Sequence, residues 1–389
     1  MPDCVMERKS KMKKYDNPMS RQVESLPELM EQQYDDLEPK TRKVLSFQEI
    51  YNIQRIILTG CGDSLAAAMA TKHAFEMLTG IPTEVVTAIE LGRFYCERHL
   101  GIDCRNPLVI AVSNSGTGAR VSEAVQRAGK HGCFVLGVTG NEESPLGIHS
   151  DKILKLNIPA FESAPGTRSY LVSVMSLLLL AIRFGEVRHQ YTMDQAMDYR
   201  RDIRRQGELL RTLLPEMKTV CQTVAEEWQG FPCYDFVGSG FDYAAAWFGQ
   251  AKILEATGKF AMHINTEEWF HLNFFARNAR EMGTVVVANT TSPGHSRARE
   301  MVKYANVLHR PLVVITDGSA EDFGGEQAIY IQVPKPEYPI TMPLTQFAPV
   351  CLIAAYIAEL TGEEYGRGCE GDWSFSKNGA GVTESEIMV

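Results

Sequence analysis

The chain repeats its own landmarks at a nearly constant interval, and that interval restricts the folds open to it. Gly60-Cys61-Gly62 returns 178 residues later as Gly238-Ser239-Gly240. Ser113, after Val-Ile-Ala-Val, returns 176 residues on as Asn289 after Val-Val-Val-Ala, and Thr139 returns 177 on as Thr316. Three correspondences in one order indicate a duplicated unit rather than two unrelated domains. A length of 389 residues gives each copy enough chain for its own core.

Within each copy, short β-branched runs alternate with helical patterns of about 12–20 residues, as in a parallel sheet covered by helices on both faces. The first series of expected strands is Ile53–Thr59, Pro82–Ala88, Pro107–Ser113, Phe134–Thr139 and Lys152–Ile158. The second is Tyr234–Gly238, Ala261–Asn265, Thr284–Asn289, Leu312–Thr316 and Ala328–Val333. The expected fold class is therefore α/β, with two duplicated domains, each a helix-flanked parallel sheet. The expected layout is an N-terminal leader and helix (1–45), a first domain (46–190), a connecting helix (191–228), a second domain (229–363) and a C-terminal tail (364–389).

Three segments outside the strands carry expectations of their own. Leu26–Leu45 reads as amphipathic and broken at Pro39. Arg200, Arg201, Arg204 and Arg205 near the start of Met193–Trp228 read as the solvated face of a connecting helix. Gly366–Val389, rich in Gly, Ser and Asn, reads either as a disordered tail or as a strap over a site.

Composition narrows the function classes. Hydrophobic residues at 44% and charged residues at 22% suit a soluble globular enzyme. A net charge of −9 argues against an electrostatic nucleic-acid binder. The nine cysteines are odd in number and show no C-x-x-C pair, which argues against a disulfide framework and a zinc site and suits a reducing cytoplasm. Met1–Ser20 is polar and lysine-rich, without the apolar centre of a secretory signal. The most apolar run, Leu171–Ile182, is interrupted by Ser173 and Ser176 and is too short to span a bilayer of about 30 Å. It is expected to be a buried helix. No membrane or nucleic-acid partner is expected.

Ligands of open parallel sheets bind beyond the carboxyl ends of the strands. Two loops of the first unit sit there, Gly60-Cys61-Gly62-Asp63-Ser64 and Ser113-Asn114-Ser115-Gly116-Thr117-Gly118. Their hydroxyls and the backbone N–H groups of two helix N-termini make a cradle for an oxyanion or phosphate. Neither loop has the lysine of a Walker A sequence, and the first lacks the third glycine of a dinucleotide fingerprint.

This loop pair, inside a duplicated α/β half, resembles the sugar isomerase (SIS) domain family over roughly Ser46 to Leu360. The tandem arrangement is similar to the isomerase half of glucosamine-6-phosphate synthase and to the fructosamine-6-phosphate deglycases. The resemblance implies that Ser64, Ser113, Asn114, Ser115 and Thr117 hold a substrate phosphate, with Gly118 standing where the family usually has threonine. It implies further substrate contacts at Gly62 and Asp63 and, in the third loop Ala164–Ser169, at Thr167 and Ser169.

In the second unit, Lys252 and Glu255 are three apart and share a helix face, and His271 follows sixteen residues beyond. Spacing alone leaves a surface ion pair and a core histidine as the plainer alternatives. The resemblance implies instead that the glutamate moves a proton between C1 and C2 and that the histidine assists ring opening. Aldose–ketose interconversion needs such a base: a desolvated carboxylate can take a carbon-bound proton, and a histidine can shuttle the hydroxyl proton.

One departure bears on the reaction. The synthase uses a lysine just before a Val-Thr pair near its C-terminus to form an imine; here Ala380 takes that place, and Lys377 is the only lysine of the tail. About fifty residues precede the first strand and Cys4 is not an N-terminal nucleophile, so no glutaminase half is expected. The resemblance thus implies a deglycase-like enzyme that shifts a proton between C1 and C2 and hydrolyses a 6-phosphosugar–amine adduct, without cofactor or metal, as a homodimer or higher homo-oligomer. The alternatives are an aldose–ketose isomerase or deaminase of a phosphorylated amino sugar, and a non-catalytic phosphosugar sensor. The sensor ranks last because the acidic segment Val23–Leu37 offers no basic recognition helix.

Overall fold

The computed structural model describes residues 15–101 and 107–389; Cys4, Cys104 and the first fourteen residues of the leader lie outside them. The β-branched runs form two five-stranded parallel sheets. The first contains β1 (Arg55–Gly60), β2 (Thr83–Val85), β3 (Pro107–Val112), β4 (Phe134–Thr139) and β5 (Lys152–Lys155), in the order β2-β1-β3-β4-β5. The second contains β6 (Cys233–Val237), β7 (Phe260–Ile264), β8 (Met282–Val287), β9 (Leu312–Thr316) and β10 (Ile329–Gln332), in the order β7-β6-β8-β9-β10. The winding is identical, as the repeated landmarks require. In each sheet the chain leaves its first strand to one side and returns on the other, so a switch point opens between β1 and β3 and another between β6 and β8.

Three helices, α1 (Pro18–Glu24), α2 (Leu26–Thr41) and α3 (Phe47–Asn52), precede the first sheet. It is flanked by α4 (Asp63–Thr79), α5 (Ala119–Lys130), α6 (Pro145–Ile148) and α7 (Arg168–Val187). The 36-residue α8 (Met193–Trp228), about 54 Å long, leads to the second sheet. There α9 (Tyr243–Thr257), α10 (Thr266–His271), α11 (His295–Val307) and α12 (Ala348–Thr361) follow, with α13 (Ala380–Thr383) in the tail. One apolar cluster runs through α2, α4, α7, α8, α9 and α12 and joins the two units without a break.

The structure corrects three expectations. The apolar run is part of α7, whose 20 residues reach about 30 Å and are long and apolar enough to cross a bilayer, as is the stretch Pro339–Thr361. In both, the apolar stretch is buried inside protein. The α7 hydroxyls turn back on their own helix, Ser173 to the Ser169 carbonyl and Ser176 to the Ser173 carbonyl, both at 2.8 Å. Second, α2 continues through Pro39 to Thr41. The proline sits in the last turn, where its missing N–H costs a single bond before the helix ends anyway. Third, Arg200 is buried rather than solvated. Its guanidinium meets Glu186 at 2.8 Å and Glu38 at 3.1 Å. Arg201, Arg204 and Arg205 are exposed.

Glu186, itself buried, also faces Arg42 and Arg183. Burial pushes its carboxyl up, but Arg200, Arg42 and Arg183 outweigh that and hold it below the usual range. The stability it adds is therefore present above the ordinary glutamate value of about 4.3 and is lost as pH falls below it. Glu186→Ala would leave the buried Arg200 to Glu38 alone and should destabilise the protein by about 1.5–3 kcal/mol, read from urea unfolding at pH 7.

Candidate active site

Register places the two serine-rich loops together. Gly60 pairs with Val112, so the chain leaves β1 and β3 side by side at the switch point of the first sheet. Gly62, at φ +55°, turns the first loop into α4. In the second loop, the Gly116 N–H donates to Ser113 Oγ at 3.2 Å, and Ser115 Oγ lies 3.0 Å from Thr117 Oγ1. The Asn114 carbonyl accepts from the Gly140 N–H at 2.9 Å, which ties the loop to the end of β4. Glycines cap both α4 and α5; the first-turn N–H groups of α5 are left to an anion, whereas in α4 those of Ser64 and Leu65 donate to the Cys61 and Gly62 carbonyls. Gly62, Asp63, Ser64, Ser113, Asn114, Ser115 and Thr117 are thus gathered at one sheet end.

The third loop approaches the same place. A Cβ on Gly166 would lie 2.5 Å from Asp63 Oδ2 and 3.1 Å from Ser169 Oγ, so only glycine allows this closeness. Ser169 is half-buried beside Asp63. Thr167 is turned inward: it is fully buried, its hydroxyl donates to the Pro165 carbonyl at 3.2 Å, and its N–H donates to Gln22 Oε1.

From the second unit, α9 packs antiparallel to α4 and delivers Lys252 and Glu255 to the N-terminus of α4. Lys252 is fully buried. Its Nζ lies 2.7 Å from Glu255 Oε2, and 2.9 and 3.0 Å from Asp63 Oδ1 and Oδ2. It also sits 4.5 Å from the centre of the Phe248 ring, which stacks on Tyr170. Burial works against the ammonium, but Asp63 and Glu255 together hold Lys252 above its ordinary value. The protein atoms around Glu255 push its carboxyl up; Lys252 opposes this, Asp63 adds to it, and the net direction is upward. The nearby Cys351 thiol is pushed up to about 12 by burial.

His271 is not brought to this cluster within one chain. It ends α10, whose Trp269 packs with α11 on one face of the second sheet, whereas α9 covers the other face. The His271 side chain is exposed, with Nε2 3.1 Å from Glu267 Oε1. Its segment is firmly held. Buried Asp235 accepts from Trp269 Nε1 at 3.0 Å and from Asn273 Nδ2 at 2.7 Å, and pairs with buried Arg310.

The tail behaves as a strap. Arg367 donates to the main-chain carbonyls of Leu254 and Glu255, at 3.2 and 3.0 Å. Further on, Arg120 donates to Ser385 Oγ at 3.2 Å and the Met388 N–H donates to Glu123 on α5 at 2.9 Å. The tail therefore passes from the end of α9 to the helix behind the phosphate loop. Lys377 is exposed within it.

Residues 49–183 match the model of the SIS domain family. The chain carries a SIS domain. In sequence it is 25% identical over 312 residues to the glutamine–fructose-6-phosphate aminotransferase (isomerizing) of Thermus thermophilus, covering 80% of this chain and 50% of that protein. The chain thus spans about half the length of the aminotransferases it matches. Its fold is similar to the C-terminal domain of glucosamine-fructose-6-phosphate aminotransferase from Francisella tularensis, with TM-score 0.78 and 17% identity over 92% of this chain and 99% of that one. It is also similar to the tagatose-6-phosphate ketose/aldose isomerase of Escherichia coli, with TM-score 0.70 and 16% identity over 89% and 94% of the two chains.

One feature of the site escaped the sequence reading. In the second unit, the counterparts of Ser64 and Ser113 are Asp242 and Asn289, and both are buried. Asn289 Nδ2 donates to Asp242 Oδ1 and to Gln346 Oε1, each at 2.7 Å. Burial pushes the Asp242 carboxyl up to about 7. A buried protein carboxyl, bonded to Asn289, therefore stands at the second switch point where the first has the Ser64 hydroxyl. The aspartate at the serine's offset was the available signal.

The open cradle depends on Gly116, which sits at φ +69° and where a Cβ would lie 1.9 Å from Ser144 Oγ. Gly116→Ala should destabilise the protein by about 1–3 kcal/mol and abolish the thermal shift given by a 6-phosphosugar. Differential scanning fluorimetry with and without fructose 6-phosphate reads both effects.

Proposed function

We propose that this SIS protein is a phosphosugar enzyme of the deglycase type, acting on a 6-phosphorylated ketosamine. The carrying observation is the contact between Lys252 and Asp63, which sets Glu255 of the second unit beside the loop that contains Ser64. A phosphate in the cradle of Ser64, Ser113, Asn114, Ser115 and Thr117 would anchor the far end of the sugar and direct C1 and C2 toward Glu255. Glu255 then takes a proton from C1 while the C2 carbonyl oxygen gains one, giving an enaminol, and returns the proton to C2 as the nitrogen loses its own. The products of that shift are a C1 imine and a C2 that carries hydrogen and hydroxyl. Water adds to the imine, and the resulting carbinolamine releases the amine and an aldose 6-phosphate. The upward push on Glu255 suits a base that must hold and return a proton. The substrate carries its own nitrogen, so Ala380 in place of an imine-forming lysine is no obstacle.

The second reading is aldose–ketose interconversion of a 6-phosphosugar by the same Glu255. The fold likeness to the tagatose-6-phosphate isomerase favours keeping it. Assay of released amine against released isomer separates the two. A reducing, cytoplasmic setting accords with phosphosugar chemistry and with the seven described cysteines, none of which forms a disulfide.

In this reading ring opening falls to His271 of a second copy of the chain, in a homo-oligomer that shares its sites; its place on the sheet face opposite α9 supports that arrangement.

Glu255→Gln should preserve phosphosugar binding while cutting turnover by about 10²–10⁴-fold, and should stop solvent deuterium from entering C1 or C2. Deuterium entry at the wild-type rate would reduce Glu255 to a helix-stabilising residue. Mixing Glu255→Gln with His271→Asn chains should restore part of the activity that each lacks alone. No recovery after co-refolding would place His271 outside the site.

A further inference from the structure

Lys252 has two carboxylate partners where one would neutralise it, and they come from different units. Glu255 lies on its own helix, one turn away, with a side chain 43% exposed. Asp63 opens α4 in the phosphate loop and presents both oxygens to Nζ, with a side chain 23% exposed. A base that shuttles a proton spends part of each cycle neutral. During that part, a buried ammonium paired with Glu255 alone would be left uncompensated, which costs several kcal/mol.

We propose that Asp63 is the standing counter-ion of Lys252, a positioning residue that frees Glu255 to gain and lose a proton. The inference rests on the functional reading above and reassigns Asp63 from a substrate contact to a charge-holding role. The geometry supports it in two ways. The Asp63 carboxylate is engaged by Nζ on both oxygens, and Gly166 closes over it with no room for a Cβ, so its side chain is held in place. The other groups facing the pair do not substitute for it. Arg367, from the segment after α12, is spent on main-chain carbonyls and Glu363; Cys351 of α12 is a buried thiol, and Tyr170 of α7 a buried phenol. Asp63 is thus the only other carboxylate among the described residues that contacts Lys252.

Removing the Asp63 charge leaves Lys252 to bind Glu255 more tightly. That lowers the value at which Glu255 takes a proton and weakens it as a base. The acid limb of the pH–rate profile reports this group, so it should move down by about one unit in Asp63→Asn. In the same variant kcat should fall about tenfold or more, while KM for the 6-phosphosugar changes less than twofold. Asp63→Glu should return the limb and the rate toward wild type. A raised KM with an unmoved acid limb would show Asp63 to be a substrate contact and overturn the proposal.

A second measurement needs no substrate. In urea unfolding, Asp63→Asn and Glu255→Gln should each lower the midpoint modestly, because one carboxylate remains for Lys252. The double variant should lose clearly more than the sum, and adding Lys252→Met should recover most of that excess. Additive losses would overturn the counter-ion role whatever the enzyme acts on. Superadditive losses in a protein inert toward every 6-phosphosugar tested would sustain the counter-ion and overturn only the functional reading.

Discussion

The ammonium of Lys252 is sealed from solvent where the two units meet, and its charge must be answered there. An isolated buried cation of this kind costs several kcal/mol, so packing alone cannot hold it. The carboxylates that answer it are Glu255, one turn away, and Asp63, 189 residues earlier in the chain. Satisfying both requires α9 to lie against α4 with its C-terminal end at the first sheet's switch point. The loop at Gly166 must also come within contact of Asp63. The ion pair thus pins α9 to α4 within the apolar cluster that joins the two units, and that setting brings the Glu255 carboxylate beside the loop of Ser64.

Duplication supplied two switch points, and their loops differ in what they offer a ligand. Both first loops turn on a glycine in the left-handed region, Gly62 at φ +55° and Gly240 at φ +60°. After that turn the units diverge by single residues. The first has Ser64, whereas at the second the buried Asp242 carboxyl accepts from Asn289, whose amide also donates to Gln346. The Asn289 amide is thereby occupied, which opposes a phosphate at the second position. The second unit contributes α9 instead, with its lysine and glutamate. Under the proposed function the two halves are a binding half and a chemical half of one site.

Features carried by local periodicity were legible in the sequence. β4, β9 and α8 coincide with their expected spans, and the Lys252–Glu255 pair follows from a three-residue helical spacing. The edge strand β2 is shorter than its β-branched run. What the sequence did not disclose depends on contacts distant in the chain. The pairing of Asp63 with Lys252 and of Asp242 with Asn289 joins loops that only the folded sheets bring together. Arg200 looked solvated because three neighbouring arginines are; its burial depends on Glu186 and Glu38 from other helices. The separation of His271 from Glu255 is topological, since sixteen residues of chain say nothing about which face of a sheet each helix covers.

The most direct measurement is a crystal structure of the protein with fructose 6-phosphate bound. The account predicts a phosphate held by Ser64, Ser113 and Ser115, with C1 or C2 within about 3–3.5 Å of a Glu255 carboxylate oxygen. It also predicts the imidazole of His271 from a second copy near the ring oxygen, and Asp63 still on Lys252. A sugar phosphate lodged instead between α4 and the loops of the second sheet, around His73, Ser239 and Asn265, would contradict it.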